Sequence, residues 1–457
     1  MRKILFGLSA IIFLYNTTFA QSITSEEKYS PTALKEDLVF IKNQLFNVHA
    51  NAFTELSKAQ YEKLFSDIEP KLTDSMKAVE FLKLVKPAMA YLSDEHANIG
   101  LPEKSTLLNG KQVFLPLSLK KENNTYRIDS VLLKDSELKK GDIIKQVDNL
   151  PVEELMKKCS VYTVGFPGQR TANAVQQFGL LYTWATPFKS TFTITLQNNK
   201  KVSIGGVDAT TWLSYLKFIY GAANSCEEKI SYKKYGETGY INACTFSSRS
   251  DSEYNAYARA VKNIFTQIQQ DKVKQIIIDV SKNSGGNSAL GDLIIAAFYD
   301  KPYGGYQLNW KRSDEYLKLM KSWGANDDNY ERHKPGEIIH FDSDTTTPQE
   351  NSFRFPGKVY VLIGNGTFSS AIMFATTIKD NGIAPLIGQA PANGHPSHFG
   401  EMYGVTVPHT KLSMRFGVKE WIRPAGNKKG ENILIPDIRI DAGDPVNVEA
   451  VIASLPR

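Results

Sequence analysis

The sequence of 457 residues is 42% hydrophobic and 22% charged, ordinary for a folded chain of about two to four domains at roughly 100–200 residues each. Its net charge of +6 is scattered among acidic residues, with no basic block or aromatic-basic stripe, which sets aside a nucleic-acid-binding role. A chain this long buries its own core without metal or disulfide staples. The three cysteines Cys159, Cys226 and Cys244 lack a C-x-x-C spacing and permit one disulfide whose pairing stays open.

Arg2 and Lys3 precede an apolar run from Ile4 to Leu14, and Thr18-Phe19-Ala20 supplies small residues before Gln21. This is the pattern of a cleaved signal peptide. The run falls short of the ~20 residues of a membrane span, so the mature chain is expected to be periplasmic or secreted, with no membrane span. Leu34, Leu38, Ile41 and Leu45 then recur at helical steps, followed by Tyr61, Leu64 and Ile68. Ala78 to Leu92 reads as one further helix, ending the helical region at Ser93-Asp94-Glu95-His96-Ala97-Asn98.

From Phe114 the period changes. Tyr126 to Val131 alternates as a strand, and Gly141-Asp142 turns into a second strand, Ile143 to Val147. An Asp148-Asn149 turn and a short helix from Pro151 follow. This order resembles a PDZ domain, with Asn149 in place of the usual glycine. The resemblance implies strand-addition capture of an extended peptide.

The C-terminal half alternates strands at Gly239–Asn242, Gln275–Val280, Lys358–Ile363 and Pro385–Gly388 with helices at Tyr254–Gln269, Ala289–Phe298 and Ser369–Lys379. Apolar, β-branched strands alternating with helices predict an α/β layer structure with a covered sheet.

Chemistry concentrates at two strand ends. Lys358–Ile363 runs through Gly364-Asn365-Gly366-Thr367 to Ser369-Ser370 at a helix start. There a serine hydroxyl sits in the positive end of the helix dipole, and the next amide is free to donate. The plainer alternative is an N-capping serine. The other strand, Gln275–Val280, leads into Asn283-Ser284-Gly285-Gly286. Paired glycines let backbone amides approach a ligand closely, and no Gly-Lys-Ser/Thr follows to make a phosphate loop.

"IIIDVSKNSGGNSALGDLI" and "GKVYVLIGNGTFSSAIMFATTIKDNGIAPLIGQ" resemble the "hhhDLRxNxGGxxxxAxxh" and "GPVxVLVxxxTxSAxExFAxxLxxxxRAxxIGE" segments of the tail-specific (C-terminal-processing) serine peptidases. The resemblance implies a ClpP/crotonase-like α/β catalytic core over 206–457. A helical cap over 21–108 and a PDZ-like module over 109–205 would precede it, after a signal peptide over 1–20. It further implies Ser369 as nucleophile, an oxyanion hole from Gly285, Gly286 and Ser370, protein or peptide substrates, and no cofactor.

The family's Ser–Lys dyad has no counterpart, because the loop 389–398 contains no lysine. The branch resembling the tricorn core and the interphotoreceptor retinoid-binding protein places a histidine base before the PDZ module. His96, in Leu92-Ser93-Asp94-Glu95-His96, matches its "L-x-D-x-H" element, and the orienting acid of that branch falls on Glu431. His395 and His398 are assigned to the substrate cleft, either being an alternative base. Read as a metal pair, His-x-x-His lacks a third ligand at a recognisable spacing. The rival function is a catalytically inactive peptide- or lipophile-binding protein on the same scaffold.

Overall fold

A computed structural model describes residues 27–101, 113–187, 189–221, 226–391, 394–426, 433–443 and 445–456. The expected signal peptide and Glu431 lie outside the described residues. Among the described residues no helix is long and apolar enough to cross a membrane.

The apolar periodicity of the N-terminal region builds helices Pro31–Asn47, Lys58–Ile68 and Ala78–Val85. Ser30 and Ser57 cap the first two, accepting from the amides of Ala33 and Gln60. The single helix expected over Ala78 to Leu92 divides, with a short second helix at Pro87–Ala90. Pro87 has no N–H to donate, and its ring disfavours a continuous helix.

These helices share one core with a sheet from the other end of the chain. Leu34, Leu38, Ile41, Tyr61, Phe81 and Met89 pack with Trp310, Tyr330, Tyr403, Met414, Phe416 and Val418. The sheet runs Ile338–Phe341, Gln307–Lys311, Ser413–Ile422, His398–Thr406 in spatial order, and the short strand Asn98–Gly100 pairs with Ser413–Arg415. Buried Asp37 ties the first helix to the hairpin tip, accepting from the amides of His409 and Thr410 at 2.9 and 2.8 Å and from the Thr410 hydroxyl at 2.7 Å.

Residues 115–204 have their own core of Leu117, Ile128, Ile144, Leu155, Phe178, Phe192 and neighbours. The Asp148-Asn149 turn adopts positive φ at both positions, 49° and 68°, the geometry of a tight hairpin turn that Asn and Asp tolerate. Arg170 joins this module to the cap. Its guanidinium makes two 2.7 Å bonds to the Glu55 carboxylate and a third, also 2.7 Å, to the carbonyl of Ala90.

The C-terminal half is α/β. Its six-stranded sheet has the order Ser231–Tyr235, Thr238–Asn242, Gln275–Asp279, Lys358–Ile363, Leu386–Gly388, Ile438–Arg439, with every pairing parallel except the first. Ile276, Ile278, Val361 and Ile363 are buried with the helices Asp251–Asp271, Ala289–Ala296 and Ser370–Asp380. Ile277, Tyr360 and Leu362 pack on the opposite face. A sheet covered on both faces explains why its strands are apolar at consecutive positions rather than alternating. Cys226 and Cys244 form a disulfide. Cys159 is free and buried, its thiol pushed up to about 12 by that burial, so it offers no nucleophile.

Candidate active site

The two central strands, Gln275–Asp279 and Lys358–Ile363, are neighbours, so the loops at their C-terminal ends meet. The Thr367 hydroxyl donates to the carbonyl of Val280 at 2.8 Å and accepts the amide of Gly364 at 3.0 Å. The amide of Phe368 donates to the carbonyl of Asn283 at 3.0 Å. These bonds fix the turn that delivers Ser369.

Ser369 directly precedes the helix Ser370–Asp380 with φ 51° and ψ −124°, and its side chain makes no capping hydrogen bond. A serine that only capped the helix would have extended backbone geometry and would accept from the first turn. Ser369 does neither. It occupies a conformation that non-glycine residues adopt at a cost and that clusters at functional sites, and its hydroxyl is left for other work.

The glycine loop is held by buried Asn283. Its Nδ2 donates to the carbonyl of Ala243 and its Oδ1 accepts the amide of Gly285, both at 2.8 Å. Gly285 therefore has no free N–H for a ligand. Its contribution is closeness, since a Cβ there would lie 2.8 Å from the Ser369 Cβ and from the Ser370 nitrogen. Among the described residues the amides of Gly286 and Ser370 donate to nothing. The Ser370 hydroxyl locks the two segments together by donating to the carbonyl of Gly286 at 2.6 Å. Two unused amides on segments touching at Ser369 are what a developing oxyanion requires.

His96 reaches this point from the cap. Its ring packs over Phe368, the residue before Ser369, with centroids 4.7 Å apart and planes tilted by 30°. The strand Asn98–Gly100, two residues further on, anchors it to the long hairpin. His96 Nδ1 is buried without a hydrogen-bond partner and lies 3.7 Å from Asp94 Oδ1. Burial works to lower the imidazole pKa, but the carboxylates of Asp94 and Glu95 outweigh it and raise the value above its usual range. Burial likewise pushes Asp94 up, yet hydrogen bonding and charge from His49 and His96 hold its carboxyl far below the usual range.

His395 and His398 sit in the same neighbourhood. The His395 amide donates to Glu95 Oε1 at 3.2 Å, and its ring stacks on Phe166 at 3.9 Å. Gln169 also donates to Glu95 Oε1, at 3.5 Å, so Glu95 touches the cap, the loop and the module. His398 opens a strand of the hairpin, its ring 6.0 Å from that of His96. Burial, with the neighbouring His96 and His395, lowers its pKa to about 3. That makes it a poor proton acceptor and a fixed polar wall.

Asp94, Glu95 and His96 offer ligand atoms within 4.8 Å of one another. Both Asp94 oxygens are already engaged, however. Oδ1 accepts the His96 amide at 2.8 Å, and Oδ2 accepts the Gly417 amide at 2.9 Å and faces His49 Nε2 at 3.3 Å. The trio is wired as a hydrogen-bond network rather than as a cation cradle. Asp94, Glu95 and His49 had no role in the sequence reading, although Asp94 and Glu95 lie inside the motif that identified His96. His49 carries no sequence signal at all.

Residues 237–440 match the model of peptidase family S41, a segment that contains both central strands and their loops. No curated protein sequence matches the chain. In fold it is similar to mature CPAF, at TM-score 0.56 and 16% identity over 90% of this chain and 92% of that one. The same holds for mature CPAF complexed with lactacystin, at TM-score 0.58 and 16% identity over 93% and 96%.

Proposed function

We propose that this chain, with its peptidase family S41 segment, is an exported serine endopeptidase that cleaves unfolded or C-terminal protein segments through an acyl-enzyme on Ser369. The observation that carries this reading is the backbone at Ser369, held at positive φ, excluded from helix capping and wedged against Gly285. No structural need of the helix accounts for that geometry.

In the proposed reaction the Ser369 Oγ–H proton passes to His96 as Oγ bonds to the substrate carbonyl carbon. The amides of Gly286 and Ser370 receive the oxyanion, each worth roughly 3–4 kcal/mol in such sites. Collapse expels the amine, which takes the proton back from His96. Water then repeats the sequence to release the acid and restore Ser369. Nδ1 faces Asp94, which leaves Nε2 as the ring nitrogen for Ser369. His398 and His395 would line the cleft, and the PDZ-like module would present the substrate tail. The Cys226–Cys244 pair suits an oxidising compartment, which supports export.

The test is labelling of the purified mature protein with a fluorescent fluorophosphonate, beside Ser369→Ala and His96→Ala. Labelling in wild type that is lost in both variants supports the assignment. Absence of labelling in folded wild type sinks it and favours a binding protein on this scaffold.

A further inference from the structure

We infer that His49 and Asp94 form a positioning pair that holds the His96 imidazole in the tautomer and orientation its work requires. The functional part of this inference rests on the reading of His96 as the base.

The wiring begins at a backbone amide. Asn51 N–H donates to His49 Nδ1 at 3.1 Å, so Nδ1 is an acceptor and the ring proton resides on Nε2. Nε2 in turn lies 3.3 Å from Asp94 Oδ2 and donates to it. Neither side chain has any exposed surface. The His49 ring is clamped by Phe399 and Phe416, with centroids at 4.7 and 5.6 Å. The Gly417 amide supplies a second donor to the same oxygen at 2.9 Å.

Oδ2 is thus saturated, and the carboxylate plane cannot rotate without breaking two bonds. The remaining oxygen, Oδ1, accepts the His96 backbone amide at 2.8 Å and faces the unpartnered His96 Nδ1 at 3.7 Å. Such bonds are commonly long in the free site and shorten in the reacting complex. An imidazole whose Nδ1–H points at a fixed carboxylate presents a bare Nε2 to the serine. When it becomes an imidazolium, the new charge meets a carboxylate already in place.

A buried histidine with one job in packing and another in holding the acid fits these contacts better than packing alone. A phenyl ring would fill the space between Phe399 and Phe416 equally well, but it would leave Asp94 Oδ2 and the Asn51 amide each short of a partner.

Two measurements test the pair. The first compares His49→Leu and His49→Gln with Glu431→Gln. Glutamine keeps a donor near the Nε2 position and an amide oxygen besides. His49→Leu is expected to slow fluorophosphonate acylation by about 10–100-fold, the scale seen when an outer partner that orients a metal-binding histidine is lost, with initial probe affinity unchanged. His49→Gln should recover most of that rate, and Glu431→Gln should lose less than His49→Leu. A folded His49→Leu protein that reacts at the wild-type rate overturns the inference, as does His49→Gln falling as low as His49→Leu.

The second is 15N NMR of the histidines in the wild-type protein, which needs neither a variant that folds nor a reactive serine. His49 is expected protonated at Nε2 and bare at Nδ1, with His96 protonated at Nδ1. A proton on His49 Nδ1 overturns the wiring. A wild type that fails to label while showing this pattern counts against the peptidase reading and leaves the positioning pair standing.

Discussion

Gly285 packs so closely against Ser369 that a Cβ on the glycine would stand 2.8 Å from the serine Cβ. Gly285 also has φ 95°, where side chains are strained. Gly285→Ala must therefore displace Ser369 or the loop. The expected outcome is a fall in acylation rate of about 100-fold or more, comparable to losing an oxyanion donor. Fluorophosphonate kinetics on protein shown to be folded by circular dichroism would check it.

Ser370 separates side chain from backbone. Its hydroxyl holds Gly286, while in the proposed reaction its amide serves the oxyanion. Ser370→Ala keeps the amide and loses one hydrogen bond of about 1 kcal/mol. A decrease of about 5- to 10-fold in rate is expected, against complete loss for Ser369→Ala. Complete loss for Ser370→Ala with reactivity kept in Ser369→Ala would show that the two serines had been assigned the wrong way round.

The pH dependence follows from the surroundings of His96. Burial lowers its pKa and Arg415 assists, but Asp94 and Glu95 carry the net shift upward, with His398 uncharged beside it. As the proposed base His96 works only when unprotonated, and a raised pKa keeps the proton on to higher pH. The acid limb of the acylation rate should have its midpoint above the ordinary histidine value of about 6.5. Glu95→Gln, removing one carboxylate, should move that midpoint down. A rate–pH curve already flat at pH 6 would contradict both.

Glu95 makes a separate prediction about stability. Burial pushes its carboxyl up to about 7, while the unfolded chain releases the proton near 4.5. Between those values the native state binds more protons than the unfolded state, so stability falls as pH rises through this window. At low pH both states are protonated and the penalty vanishes. Glu95→Gln should therefore leave stability near pH 4 little changed and raise it at pH 8, by up to about 3 kcal/mol. Urea titrations at the two pH values read this directly, and an equal change at both would refute it.

Arg170→Ala strips a bidentate partner from Glu55 and a donor from the Ala90 carbonyl, all three bonds at 2.7 Å. Glu55 is a quarter exposed, which softens the loss. A cost of about 1–3 kcal/mol is expected, accompanied by faster limited proteolysis between the cap and the module. Arg170→Lys should recover little, because an ammonium cannot make the paired bonds.

The parts legible in the sequence are those governed by local pattern. Leu34, Leu38, Ile41 and Leu45 are all buried, as their helical spacing requires. The four central strands of the six-stranded sheet lie where their apolar runs do, whereas Ser231–Tyr235 and Ile438–Arg439, short of such runs, were not read as strands. The turns at Gly285-Gly286 and Ser369-Ser370 were readable because a connection between a strand and a helix carries its signals within a few residues. What escaped depends on distance along the chain. Asp37 meets Thr410 across 373 positions, and Asp94 meets Gly417 across 323. No periodicity encodes such meetings. The hairpin 398–422 was not assigned, although Met414, Phe416 and Val418 alternate as a half-buried strand does. The break at Pro87 was visible in principle and was overridden by the apolar spacing around it.

The shared core of cap and hairpin has a consequence for the chain as it is made. His96 leaves the ribosome long before Ser369, yet the helices that carry it cannot bury Leu34, Tyr61 or Phe81 fully until the strand ending at Ile422 has arrived. In a growing or truncated chain the cap that carries His96 thus lacks the strands it packs on. The order of synthesis acts as a timer: His96 and Ser369 come into register only when the polypeptide is nearly complete.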